Sequence, residues 1–251
     1  MDNYWTNRRT IRKFTDRDVP QSLLAEIIEE AAHAPTTGTM QLYSAVVTRD
    51  PMRLAQLCPA HFNQPAATGA PVLVTFCADW NRFVKWCKAS GADPAYDNFQ
   101  SLMSAILDTA IFAQQFNTIA EQRGLGCCYL GTTTYNAPQI AEALNLPPMV
   151  VPVTTLAVGF PADQGTPTYR LPVEAIMHSE TYLDKSPADI RSQYYAQIEN
   201  RPDCKGFVDE HNKESLAQVF TDVRYPRANN VAFSKIFYDF IAQAGFPWPA
   251  Q

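Results

Sequence analysis

The chain has 251 residues, 46% of them hydrophobic, enough to bury one full core and near the size at which single cores stop growing. Twenty lysines and arginines against 25 acids leave a net charge of −5, which argues against nucleic acid as a partner. Six cysteines, at 58, 77, 87, 127, 128 and 204, show no CxxC pair and no companion histidine spacing, which disfavours a zinc site or a disulfide framework.

Met1 to Asn7 carries neither a basic leader nor an apolar one, and no uncharged apolar run is long enough to span a bilayer. The expectation is a cytoplasmic chain without a membrane span. The basic run Arg8-Arg9-Thr10-Ile11-Arg12-Lys13-Phe14 comes next. Alone it reads as a solvated face. Its other reading is an arginine forked onto a phosphate dianion, with a hydroxyl such as Thr10 addressing a heterocycle, and that reading needs partners elsewhere.

From Pro20 to Ala34, Leu23, Leu24, Ile27, Ile28, Ala31 and Ala32 recur at helical spacing opposite Glu26, Glu29 and Glu30, which predicts an amphipathic helix. Ala34-Pro35-Thr36-Thr37-Gly38 is too rich in breakers to continue it, so its amides and hydroxyls are available to a ligand or to an ordinary polar loop. Tyr43 to Thr48 and Val72 to Ala78 read as strands, the second buried on both faces. The longest helical pattern, 98–123, is apolar around more than one stripe, as expected of a buried helix or one that packs on a second subunit. Gly124 caps it, and Cys127 to Leu130 is a strand running into Gly131. A short helix over Pro138 to Leu146 precedes a central strand from Val150 to Gly159. Beyond about Leu183 the chain is more polar, with helical stretches around Ile190 to Ile198 and Asn230 to Ala244. Residues 1–251 read as a single domain, with about 183–251 as its C-terminal extension. Helices alternating with isolated strands give an α/β or α+β fold.

Six collinear motifs sharpen this. Arg9-Thr10-Ile11-Arg12-Lys13-Phe14 resembles the Arg-Ser-Ile-Arg-x-Phe of the nitroreductase family of FMN flavoproteins. Pro35-Thr36-Thr37 with Gln41, Phe76-Cys77-Ala78-Asp79, Gly124-Leu125-Gly126, Tyr129-Leu130-Gly131, and Gly159-x-Pro161-Ala162-Asp163 followed by Arg170-Leu171-Pro172 resemble the same family in the same order. The similarity runs from about Asn7 to Tyr182, and is to the branch of the major oxygen-insensitive nitroreductase and the NADPH:flavin oxidoreductase.

The resemblance implies an α+β fold: a mixed, mostly antiparallel sheet flanked by helices, with a C-terminal helical extension, dimeric through long central helices with FMN at the interface. It implies that Arg8 and Arg170 bind the FMN phosphate, joined by hydroxyl and amide donors of Thr36 and Thr37 from the neighbouring subunit. Arg9 is a ribityl or phosphate contact. Thr10 addresses the pyrimidine edge, Gln41 and Gln64 lie near the ribityl and ring, and Leu130-Gly131 offers backbone N–H groups to the central ring, with Tyr129 beside them in the cofactor site. Arg12 faces the N1 and O2 region, where it favours the negative charge left by reduction. Thr168 stands where the family carries lysine, two residues before Arg170.

The implied activity is ping-pong, two-electron hydride transfer from NADH or NADPH through FMN to nitroaromatics, quinones or similar electrophiles. Supply of free reduced flavin is an alternative, as is a flavin-binding sensory protein without turnover. No general base is named, because the cofactor carries the chemistry. The stretch Asn200-Arg201-Pro202-Asp203-Cys204-Lys205-Gly206 is partly acidic, unlike the arginine cluster of NADPH-using relatives, which weighs against a preference for NADPH. His33, His61, His178 and His211 are scattered and read as surface or structural residues. Tyr43, Phe62, Phe207 and Tyr225 are available to line an acceptor pocket, although packing is the commoner fate of such residues.

Overall fold

The computed structural model describes residues 3–247. Among them four strands form one sheet: β1 (Tyr43–Thr48), β2 (Val72–Asp79), β3 (Gly126–Leu130) and β4 (Val150–Gly159), in the order β1-β2-β4-β3. Every pairing is antiparallel, as the resemblance implies for most of the sheet. β2 and β4 are the central strands, and all of β2 is buried. Pro152 lies inside β4, where a proline removes a ladder hydrogen bond. The register shifts between Phe76 and Cys77 on β2, so the proline sits at a local irregularity where its missing N–H does no harm.

Five helices frame the sheet and the site: α1 (Gln21–Ala31), α2 (Asn81–Ala89), α3 (Phe99–Gln122), α4 (Ala137–Ala143) and α5 (Arg227–Gln243). α1 ends three residues short of Ala34, because Pro35 disfavours a helical conformation in the residue before it. Asn98 starts α3 by accepting from Ser101 N at 3.0 Å, and Gly124, at φ 82°, lets the chain turn out of it.

The alternation of β2 explains the layering. Val72, Val74 and Phe76 face α3 and α1, where Phe76 meets Phe112 and Phe116 edge-on at 5.3 Å. Leu73 faces the opposite side and packs with Leu57, Cys128, Leu130, Ile140 of α4 and Ala157. Tyr43 belongs to the first of these cores: it stacks on Phe112 at 4.3 Å, and its hydroxyl donates to Ala32 O. Trp80, Leu102, Val151, Ile241 and Phe246 form a third cluster.

The chain separates into two compact units, the described part of Met1–Thr166 with Phe233–Gln251, and Pro167–Ala232. The sheet, α1 to α4 and the part of α5 from Phe233 onward form the first. The second is a set of short helices, including Pro187–Ile190, Ala196–Glu199 and Pro202–Glu210, with two wider π-type stretches, Arg191–Tyr195 and Val219–Arg224. Ile198, Cys204 and Leu216 make a small core there, with Leu171, Phe207, Val208 and Phe220 against it.

Candidate functional site

The basic segment is laced onto the sheet as an extra, irregular edge. Ile11 N donates to Cys127 O at 3.1 Å, Ala162 N to Lys13 O at 3.0 Å, and Thr15 N to Phe160 O at 2.9 Å. This approach requires Gly126: a Cβ there would stand 2.6 Å from that of Ile11. Residues 9–12 are thereby fixed beside β3.

The cations of this segment differ in what they already hold. Arg8 Nη2 lies 2.9 Å from Glu121 Oε1 and 3.5 Å from Asn117 Oδ1, both on α3. Its charge, expected at a phosphate, is met inside the protein. The same carboxylate accepts from the Tyr4 hydroxyl, whose pKa burial and Glu121 together push up to about 12. Arg9 donates to the Gln164 carbonyl at 3.2 Å, which orients the guanidinium without cancelling its charge. Arg12 is exposed and has no ion-pair partner among the described residues. Its field, with that of Arg8, opposes the rise that burial imposes on the Cys128 thiol. Burial likewise raises Cys127. All six cysteines are free and buried, as reduced structural thiols should be.

The donors of the threonine loop are committed within the chain. Asp108, on α3 and only 2% exposed, accepts from Thr36 Oγ1, from Thr37 N at 2.9 Å and from Thr37 Oγ1 at 2.8 Å. Thr36 Oγ1 also accepts from Gln41 N at 3.0 Å. The hydroxyls and the Thr37 amide expected to face a ligand therefore anchor the loop instead. A buried carboxylate gathers donors because charge-assisted hydrogen bonds offset its lost hydration. An aspartate set among Ala105, Ile106, Leu107, Ala110 and Ile111 in the middle of the helix is the signal for this anchor, and none of the six motifs includes it.

Other expected donors are open. The side chains of Thr10 and Gln64 make no hydrogen bond among the described residues, and both are half-buried. Gly131 follows β3 facing open space: a Cβ there would meet nothing within 4 Å, and its N–H has no partner among the described residues. Leu130 is buried and its carbonyl accepts from Thr133 Oγ1 at 3.0 Å, which closes the turn after the strand. Tyr129 points outward, with its hydroxyl 3.4 Å from Gln114 Oε1. Gln41 is exposed. In the second unit, Arg170 is exposed and donates to Thr168 Oγ1 and to the Tyr169 carbonyl.

Of the two readings that its isolation in the sequence allows, surface or structural, His61 takes the structural one. It is fully buried, and its Nδ1 lies 2.9 Å from Thr132 Oγ1. Burial pushes its pKa down to about 4, so the ring is neutral at neutral pH. Phe62, beside it, is half exposed and packs on Phe233, which stacks on Tyr135. Phe207 and Tyr225 pack within the second unit, against His211 and Phe220.

A guanidinium, a hydroxyl, a carboxamide and a backbone N–H of the first unit thus stand without partners among the described residues. That donor set suits an anionic, phosphate-bearing heterocycle. Among the described residues, no group of His, Cys, Asp or Glu is arranged to hold a metal ion.

Comparison with known proteins agrees. The profile of the Nitroreductase family matches residues 6–160. A Bacillus subtilis protein named FMN reductase [NAD(P)H] is 32% identical over 231 residues, covering 88% of this chain and 91% of its own. A solved oxidoreductase from Bacteroides fragilis superposes with a TM-score of 0.95 at 48% identity, covering 98% of this chain and 99% of the other. The NfrA1 nitroreductase of B. subtilis superposes at 0.83 with 26% identity, covering 96% of each.

Proposed function

The chain belongs to the nitroreductase family, and from that premise we propose that it is an FMN-dependent NAD(P)H oxidoreductase passing two electrons to nitroaromatics, quinones or similar electrophiles. The observation that carries this reading is the pairing, on β3, of the laced segment bearing unpaired Arg12 with the open N–H of Gly131 at the strand's end. Bound FMN supplies the hydride chemistry between nicotinamide and acceptor.

The residues divide the work by charge. Arg9 and Arg12 supply the positive field, Arg12 toward the ring edge where reduction leaves negative charge and Arg9 toward the phosphate. Arg8, neutralised by Glu121, holds the segment in place and gives phosphate a secondary contact. Thr10 and Gln64 match neutral edges of the heterocycle, and Gly131 N–H serves the central ring. Arg170 is assigned to the phosphate by the resemblance alone; Thr168, in place of the family's lysine, accepts a hydrogen bond from it where the lysine would add charge. Thr36, Thr37 and Gln41 shape a loop, through Asp108, that borders the site of a second subunit.

Homodimerisation is supported by α3, where apolar Leu107 and Ile111 are 58% and 43% exposed one turn apart. A reducing, cytoplasmic setting is supported by six unpaired cysteines, and no helix among the described residues is long and apolar enough to cross a membrane. As for the donor, Arg201 is bonded through two nitrogens to Asp203, which leaves it little to offer a ribose 2′-phosphate. We therefore expect NADH to serve at least as well as NADPH. Anaerobic mixing of the flavin-loaded protein with NADH is the test. Rapid bleaching of the flavin absorbance is the expected outcome; persistent oxidised flavin with either nicotinamide would make the chain a flavin-binding module.

A further inference from the structure

His61 is the one buried histidine among the described residues, and its ring has an unusual balance of contacts. Nδ1 is bonded to Thr132 Oγ1, while Nε2, equally buried, has no partner there. An unpaired buried ring nitrogen costs about 1–3 kcal/mol, which a leucine of similar volume would avoid. What the histidine adds over a leucine is the bond to Thr132.

That bond joins two stretches that the sheet alone does not fix. On one side, His61 ends a tight turn, Cys58–His61, and its carbonyl accepts from Gln64 N at 3.2 Å. Between them Phe62 and Asn63 are both left-handed, at φ 54° and 49°, a conformation that non-glycine residues hold only when their surroundings impose it. On the other side, Thr132 directly follows Gly131. A second tie runs parallel: Asn136 Nδ2 donates to Ala60 O at 2.7 Å. The strained turn that presents Gln64 and the turn that presents the Gly131 N–H are thereby held to each other through side chains.

We propose that His61 is a positioning residue for the flavin site, fixing the Gly131 turn relative to Gln64 through its hydrogen bond to Thr132. This rests on the FMN reading of the site. A neutral imidazole suits the task, because it supplies direction without adding charge to a site whose charge is set by arginines. The residue acts on the flavin only through Thr132 and the turn, and touches no reacting atom.

The test uses the full-length protein and compares FMN affinity, by calorimetry, and the midpoint potential of bound FMN, by anaerobic dye equilibration. His61→Leu and Thr132→Val delete the bond from either end. Each should weaken FMN binding by roughly tenfold, the equivalent of a lost hydrogen bond near its upper value. Each should also move the potential. His61→Asn, whose amide can occupy the position of Nδ1, and Thr132→Ser should return both readings to within about threefold and close to the parent potential. The double variant His61→Leu/Thr132→Val should be no worse than either single one, because both remove the same contact. Parent-like affinity and potential in His61→Leu, or failure of the asparagine to restore them, overturns the assignment. If His61→Leu does not fold, Thr132→Val against Thr132→Ser decides the question. A parent protein that takes up no FMN overturns the site reading itself, which is a separate result from an unaffected His61→Leu.

Discussion

The Asp108 anchor gives the sharpest prediction about stability. Asp108→Ala leaves the hydroxyl of half-buried Thr36, the N–H of buried Leu42, and the N–H and hydroxyl of the more exposed Thr37 without their acceptor. Hydrogen bonds to a charged group contribute roughly 1.5–3 kcal/mol each, and breaking a buried charged cluster from one side costs about 3–5 kcal/mol. Set against a total stability of about 5–15 kcal/mol, this is a large fraction. At about 2–4 °C per kcal/mol for a chain of this size, the midpoint should fall on the order of 10 °C. The assay is thermal unfolding of the FMN-free protein, so that ligand linkage does not hide the loss. Thr36→Val is the internal reference: it removes the hydroxyl that donates to Asp108 and accepts from Gln41 N, leaves Asp108 its other donors, and should cost about 1.5–3 kcal/mol. Asp108→Asn should lie nearer to alanine than to the parent, because its NH2 turns a donor toward donors. Amide exchange at residues 36–42 should rise with the alanine change. An Asp108→Ala loss below about 1 kcal/mol, or no larger than that of Thr36→Val, would refute the idea that this carboxylate organises the loop.

Acid should destabilise the protein through His61. Its folded pKa of about 4 lies below the ordinary 6.5, so the unfolded chain binds a proton across that window and the folded one does not. Stability from this group is present above pH 6.5 and is lost as pH falls toward 4, at about 1.4 kcal/mol per pH unit, or roughly 3 kcal/mol in all. Unfolding free energy measured across that range should therefore depend less steeply on pH in His61→Asn; parallel curves would show that the histidine is protonated freely in the folded state. Arg12→Ala should lower the midpoint potential of bound FMN by about 30–60 mV, the two-electron equivalent of one charge-assisted hydrogen bond, whereas Arg170→Ala should chiefly speed FMN loss on dilution. Equal and negligible effects of both changes would remove the division of roles. Gly126→Ala should cost about 1–3 kcal/mol by denaturant unfolding, since its Cβ has no room beside Ile11; a neutral result would mean that the segment is not held against β3.

Much of the fold can be read from the chain. β1 and β4 have the limits that their β-branched and apolar runs suggest, and α3 lies within a residue of its expected ends because Asn98 and Gly124 mark them chemically. α2 is invisible to a search for long apolar periodicity: it buries only Val84 and Cys87 and presents Lys85 and Lys88 outward. The second unit is equally hard to read, since short helices broken by wide turns carry no sustained period.

The site is legible as a set of residues and illegible as a set of partners. Arg8, Arg9 and Arg12 look alike in sequence, yet one faces a carboxylate, one a carbonyl and one neither. That difference depends on Glu121 and Gln164, far along the chain, and no local pattern encodes it. The roles of Asp108 and of His61, which the sequence leaves as surface or structural, are hidden for the same reason. Each matters through a contact across 71 residues of chain, to Thr37 for one and Thr132 for the other.

The most direct test of the central claim is calorimetric titration of the FMN-free protein with FMN, with riboflavin as the comparison that lacks a phosphate. The arginine-lined site predicts saturable binding of FMN and markedly weaker binding of riboflavin. Absence of heat and of uptake at saturating FMN would contradict the account, whatever the fold resembles.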